Sequence, residues 1–222
     1  MSPEMIRLIT QATLDTLYMV AVAAGIGTAL GLPLGIFLAT SGPGELFAAP
    51  WLNRVLGIIV NATRSTPFII LVVAIIPFTR LIAGTSIGTT AAIVPLTVSA
   101  TPFIARLVEG AVREVDPGLI EAARAFGATP LQIVLKVLIP EARPGIVLGL
   151  TLAVVSLISF SAMVGAVGGG GLGDLGIRYG YQRFMPDVMA AVVVVLIVIV
   201  QGVQTLGERL ARRLDKRKRH HA

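Results

Sequence analysis

The 222-residue sequence predicts an all-α integral membrane protein with five transmembrane helices, N-terminus external and C-terminus cytoplasmic. Three observations carry this. Hydrophobic residues make up 55% of the chain and charged residues only 14%, against about 25% charged in an ordinary soluble domain; mean hydropathy is +0.87. Too little polar surface remains to cover a globule in water, which excludes a soluble enzyme, a disordered linker and a nucleic-acid-binding domain. Second, apolar stretches occur near residues 17–40, 55–78, 89–108, 145–167 and 188–207, and about 20 residues rising 1.5 Å each cross a hydrocarbon core of ~30 Å. Third, those spans leave 14 of the 18 Lys and Arg on one side, which the positive-inside bias makes cytoplasmic. The formal net charge of +6 is therefore mostly topology, and a basic tail at 208–222 can also hold anionic lipid. One transmembrane domain, 1–222, accounts for the whole chain.

The first 16 residues carry Glu4, Arg7 and Asp15, and the apolar run behind them is too long for a cleavable signal. Met5, Ile6, Leu8, Ile9 and Ala12 fall mostly on one helical face, so this segment is expected to lie along the membrane surface. Span one holds Gly25, Gly27, Gly31, Pro33 and Gly35, span three Pro95 and Pro102. Small residues let helix backbones approach closely, and prolines kink helices. Span two is apolar except for Asn61 and Arg64. A mid-membrane charge costs about 2.5–3.5 kcal/mol on insertion scales, so Arg64 is expected to snorkel to an interface or to face a wet cavity. Span four ends in Gly165 and Gly168–Gly171, read as a flexible or re-entrant external gate. Five helices enclose little room for a path, so a second copy of the chain is expected beside it.

What the sequence lacks narrows the chemistry. There is no Cys, and the two His, His220 and His221, end the chain as native residues or a tag remnant. The central turns of spans one, three, four and five carry no ionisable residue, which disfavours proton coupling; a sodium site built from carbonyls stays open. No G-x-x-x-x-G-K-[ST] phosphate loop occurs. Gly171-Leu172-Gly173-Asp174-Leu175-Gly176 matches G-x-G-x-x-G in letters only, because it follows a membrane helix rather than a strand.

The longest polar segment between spans, 109–144, is strongly organised. Asp116 is placed to N-cap a helix with Pro117 at its first position. That helix runs through Glu121, Ala122, Ala123 and Phe126 and ends at Gly127. Thr129-Pro130-Leu131-Gln132 forms a capping box for a second helix, whose Leu131, Val134, Leu135 and Leu138 make an apolar stripe and which Pro140 is expected to stop. Taken alone, Glu121 would form a solvated pair with Arg124.

Glu121-Ala122-Ala123, then Gly127, then Val137-Leu138-Ile139-Pro140 resembles the EAA loop of ABC-importer permeases, written EAA-x3-G-x9-I-x-L-P. Val137 and Ile139 are its conservative departures. Similarity to methionine-importer permeases extends over most of the chain. It runs through Asn61-Ala62-Thr63-Arg64-Ser65-Thr66-Pro67-Phe68, Ile76-Pro77-Phe78-Thr79-Arg80, Gly84-Thr85-Ser86-Ile87-Gly88, Ala92-Ile93-Val94-Pro95 and Ser161-Ala162-Met163. The resemblance implies a type I ABC importer permease fold and a multi-pass subunit of the bacterial inner membrane. It implies a homodimer with two cytoplasmic ATPase subunits, which bind ATP and Mg, and an external methionine-binding protein. The chain itself would hold no cofactor and no nucleic acid. Glu121, Ala122, Ala123 and Gly127 would form the ATPase-docking element, with Pro140 ending its buttress.

In span four, Ser159, Phe160, Ser161 and Met163, with Ser156 before them, form a mixed polar and soft apolar set. They suit a substrate path, and equally suit a helix whose serines bond their own backbone. Alternatives left open are another amino-acid or osmoprotectant cargo, a gradient-driven carrier, and a membrane scaffold that only anchors cytoplasmic partners.

Overall fold

The computed structural model describes residues 2–215, and among these all regular structure is helical. The helices are α1 (Pro3–Thr40), α2 (Pro50–Ser65), α3 (Phe68–Ala74), α4 (Ile76–Ala83), α5 (Thr89–Arg113), α6 (Pro117–Ala125), α7 (Pro130–Ile133), α8 (Ile139–Val164), α9 (Gly171–Leu175) and α10 (Pro186–Leu214). Wide π turns at Val134–Leu138, Gly165–Gly169 and Gly176–Tyr181 join α7 to α8 and flank α9.

The bundle is organised around α5, whose face of Ala92, Leu96, Ala100, Ile104 and Val108 is almost fully buried. Against it lie Gly27, Gly31 and Gly35 of α1, spaced four apart and so on one helical face. A Cβ on Gly27 would stand 2.7 Å from Cβ of Ala100, and one on Gly31 2.7 Å from the Thr101 carbonyl. On Gly35 it would strike the Ala105 carbonyl and come within 2.7 Å of Val108 Cβ. This is the small-residue seam anticipated from the sequence. Numbers rise together along both helices, so α1 and α5 are parallel. Gly145 and Gly149 of α8 meet Ala111 and Leu107 in reverse order, so α8 is antiparallel to α5. Gly207 of α10 abuts Thr151, while Val188 and Val192 at the other end of α10 share a cluster with Leu172 and Leu175. Four helices long and apolar enough to cross a membrane thus run through the bundle, five traverses if the bent α2–α3 pair counts as one, and among the described residues Pro3 and Leu214 lie at opposite ends.

The second traverse is not the single helix expected over 55–78. It is broken into α2, α3 and α4, with α2 and α3 bent 104° apart. Pro67 holds the N-cap position of α3 and Thr66 is extended, with ψ 124°. The proline ring disfavours helical backbone at the residue before it and offers no N–H to continue the ladder. Arg64 sits exposed in the last turn of α2, where a cation complements the helix dipole.

Two further expectations change. The segment before span one is not a separate surface helix, because α1 runs unbroken from Pro3 to Thr40. Its Met5, Ile9 and Ala12 are covered by Leu172, Leu175, Val188 and Val192. The glycine run after α8 is closely packed rather than open. A side chain on Gly171 would meet Met19 Cε at 2.5 Å and Thr16 Oγ1 at 2.6 Å, and Gly165 and Gly173 bring α9 against the end of α8. The Leu172 N–H donates to Thr16 Oγ1 at 2.8 Å, and the Gly88 N–H to the Gly168 carbonyl at 2.9 Å. The four basic residues from Lys216 to Arg219 and the His220-His221 pair lie outside the described residues.

Candidate functional site

At the end of the bundle where α5 finishes, the chain forms the helix pair α6–α7. Each cap anticipated from the sequence is present. The Asp116 carboxylate accepts from the Gly118 N–H at 2.8 Å, with Pro117 in the first turn of α6. The helix closes on a complete Schellman arrangement: the Ala128 N–H bonds the Ala123 carbonyl at 3.0 Å and the Gly127 N–H bonds the Arg124 carbonyl at 2.9 Å. That closure needs a left-handed residue, and Gly127 supplies it at φ +76°. Immediately after, Thr129 N–H donates to Gln132 Oε1 at 2.9 Å and the Gln132 N–H to Thr129 Oγ1 at 3.4 Å, a reciprocal capping box.

No residue of α6 is buried. Glu121 and Ala122 are exposed and Ala123 is half-buried. Glu121 forms no ion pair among the described residues, so the Arg124 pair does not occur. Phe126 at the helix end is 92% exposed, and Leu119, Leu131 and Leu135 are exposed as well. The predicted stripe on the second helix is therefore divided. Val134 and Leu138 are buried with Ile133, whereas Leu131 and Leu135 face outward. Ile133 and Leu138 share one face despite a spacing of five, because the π turn inserts an extra residue between them. Nor does Pro140 stop the helix. The Ile139 N–H bonds the Val134 carbonyl, five residues back, and α8 continues past Pro140 and Pro144. A wide turn relieves the clash a proline ring makes with the carbonyl four residues before it.

The four span-four residues also divide. Ser159 and Met163 lie on the outer face of α8, four residues apart, with Met163 46% exposed. Ser161 is buried and donates to the Ile158 carbonyl at 2.7 Å, turned into the chain's own core. Phe160 stacks on Phe68 of α3, ring centroids 4.4 Å apart and planes 12° from parallel. Phe68 is the partner that sequence reasoning missed. Its signal was the Thr66-Pro67 break, which aims the following turn back at α8.

A second omission is a charged cluster in the last turns of α5. Glu109 is buried, with Oε2 2.5 Å from Arg106 Nη1 and Oε1 2.9 Å from Arg113 Nη2. Glu109 and Arg113 belong to the helix, which extends to Arg113, rather than to the loop read as starting at 109. At the opposite end of the bundle, Asp174 pairs with Arg178, and that hydrogen bond holds the Arg178 guanidinium above its usual range. Arg183 lies 4.5 Å over the Tyr179 ring. Among the described residues no group of three or more His, Cys, Asp or Glu comes together that could hold a metal ion.

Comparison with known proteins places this geometry. A family model described as a binding-protein-dependent transport system inner membrane component matches residues 31–220. A Vibrio cholerae protein named as a probable D-methionine transport system permease is 57% identical over 95% of this chain and 93% of its own length. The D-methionine transport system permease of Escherichia coli K12 is 53% identical over 74% of this chain and 76% of its own. Among solved structures, a chain of the MetNI methionine ABC transporter in inward-facing conformations superposes with a TM-score of 0.95 at 50% identity, covering 97% of this chain and all of that one. A chain of an amino acid ABC transporter, 20% identical, shares the fold with a TM-score of 0.79 over 94% of each chain.

Proposed function

The chain belongs to the family of binding-protein-dependent transport system inner membrane components, and from that premise we propose that it is the permease subunit of an ATP-driven methionine importer. The observation that carries the cargo is near-full-length similarity to a relative named for D-methionine transport, at 57% identity. The thioether side chain is common to both stereoisomers, and a path lined by hydroxyls and a Met sulfur suits an amino-acid zwitterion with such a tail. Ser159 and Met163 form that lining, across from a second copy of the chain. The Phe160–Phe68 stack fixes their helix against the broken second traverse.

In this reading two copies assemble with two cytoplasmic ATPase subunits, which bind and hydrolyse ATP with Mg, and with an external methionine-binding protein. The chain itself performs no catalysis. The α6–α7 end is cytoplasmic and the N-terminus external, in the bacterial inner membrane. Helix α6 is the docking element. Glu121 offers a carboxylate to a cation of the ATPase, Ala122 and Ala123 permit close approach, and Phe126 fills an apolar hollow. Gly127 sets the turn, and the α7–α8 helix passing through Pro140 is the strut behind it. Such a pair, rigid by its caps and apolar on its outer side, suits a partner surface better than water.

Uptake of labelled methionine into vesicles bearing the reconstituted complex tests the assignment. ATP-dependent uptake is expected, with unlabelled D- and L-methionine competing and other amino acids not. Uptake indifferent to methionine would overturn the cargo, and uptake indifferent to ATP would overturn the machine. Glu121→Lys is expected to weaken co-purification of the ATPase at least tenfold.

A further inference from the structure

The Arg106–Glu109–Arg113 cluster, a buried carboxylate between a half-buried and an exposed arginine, ties α5 to both α1 and α2 by directed polar bonds at that end of the bundle. Each oxygen of the Glu109 carboxylate takes a different guanidinium: Oε2 holds Arg106 at 2.5 Å and Oε1 holds Arg113 at 2.9 Å. Neither arginine is spent on Glu109 alone. Arg106 Nη2 donates to the Gly57 carbonyl, inside α2, at 3.1 Å, and Arg113 Nη2 reaches the Leu38 carbonyl near the end of α1 at 3.5 Å. The same Leu38 oxygen accepts from the Asn53 side-chain amide at 2.8 Å, and Asn53 also donates to Ser41 Oγ at 2.9 Å. One carboxylate thus orients two cations, each of which grips a backbone carbonyl of a different helix.

The position of the cluster is as informative as its bonds. Arg113 is the last residue of α5, and only Glu114 and Val115 separate it from Asp116, the cap of α6. Any displacement of α6 passes first through this turn. The remainder of the α1–α5 contact is apolar and small-residue packing, which resists compression and offers little directional grip. Charged hydrogen bonds to fixed carbonyls do have direction. A buried carboxylate flanked by two guanidinia is also costly to leave half-satisfied, so α1, α2 and α5 are constrained to shift together at this level or to exchange partners.

We propose that Glu109 is a positioning residue for transport: through Arg106 and Arg113 it makes the ends of α1 and α2 follow α5 when α6 is moved. This rests on α6 being the ATPase-docking helix and deepens that reading. Glu109 touches neither substrate nor ATPase. Its loss should separate hydrolysis from movement of the path while leaving docking intact.

The test is the ratio of methionine transported to ATP hydrolysed by the complete complex in proteoliposomes. Glu109→Gln keeps the volume and removes the charge. It is expected to lower the ratio at least tenfold, with co-purification of the ATPase within twofold of the unaltered complex. Glu109→Asp, which keeps the charge, is expected to recover the ratio to within about threefold. Arg113→Gln, at a half-exposed position that folding tolerates, is expected to lower it about threefold, so a reading survives even where Glu109→Gln does not assemble. A merely structural role would reduce uptake and hydrolysis in proportion, and an unchanged ratio in the Gln variants overturns the proposal. Failure of the docking reading shows elsewhere, as a Glu121→Lys complex that still binds its ATPase.

Discussion

Glycine is central to both the α1–α5 seam and the α6–α7 pair, but the two regions use opposite properties of it. In the seam, Gly27, Gly31 and Gly35 have helical backbones that any residue could adopt. What they lack is room, since a Cβ on any of the three would overlap α5. At Gly127 there is nothing within 4 Å of the missing Cβ, and the backbone sits at φ +76°. One region needs the absent side chain for proximity, the other for conformation. The seam is therefore long-range and collective, whereas the turn is local and self-contained. Damage to the first should spread through the fold, and damage to the second should stay at the proposed docking surface.

The sharpest way to break this contrast is Gly35→Val. Its branched side chain would drive into the Ala105 carbonyl and Val108. Neither neighbour yields easily, since one is backbone and the other is itself 1% exposed. Overpacking typically costs about 1–3 kcal/mol and more where backbone must move. The expected outcome is the largest fall in thermal midpoint of the detergent-solubilised protein among these variants, with ATPase co-purification falling only as folded protein is lost. A midpoint within error of the parent would mean that the seam is loose.

Gly127→Ala should act in the other direction. A left-handed backbone costs a non-glycine residue about 1–2 kcal/mol, and here the loss is confined to the Schellman closure and the capping box behind it. Little change in midpoint is expected, together with roughly five- to tenfold weaker retention of the ATPase, measured by titration against the purified permease. If midpoint and retention fell together, the pair would be part of the core and the contrast would collapse.

The difference between local and collective devices also explains what the sequence made legible. The caps of α6 and α7 involve residues at most five apart, and Asp116, Gly127, Thr129 and Gln132 hold the positions their chemistry demands. Gly27, Gly31 and Gly35 announced close packing by their spacing, though not which helix they meet. The break after Arg64 was obscured because a proline in an apolar run can either kink or end a helix, and here the Phe68–Phe160 stack favours the turned path. The π turn before Pro140 leaves no periodic trace, so the sequence joins Leu131 and Leu135 to the buried Val134 and Leu138 in a single stripe that the structure divides. Glu109 was hidden for a different reason. A charge between two arginines near a helix end reads as solvated surface until α1 and α2 are seen to cover it.

The smallest expected effect is also the most discriminating. Gly25 lies in the same helix as the seam, two residues before Gly27, yet its missing Cβ meets nothing within 4 Å and its backbone is helical. It therefore has neither of the two needs that the other glycines serve. Replacing a mid-helix glycine by alanine removes chain entropy from the unfolded state and stabilises by about 0.5–1 kcal/mol. Gly25→Ala is thus expected to raise the thermal midpoint slightly, with uptake and ATPase retention unchanged. Lipid would accept one more methyl group on that face without strain. A helix of the second copy packed there would not, and the variant would then lose dimer on size exclusion while its monomer stayed folded. The sign of this small change therefore tells whether the outer face of α1 meets lipid or protein, which the seam on its inner face leaves unspecified.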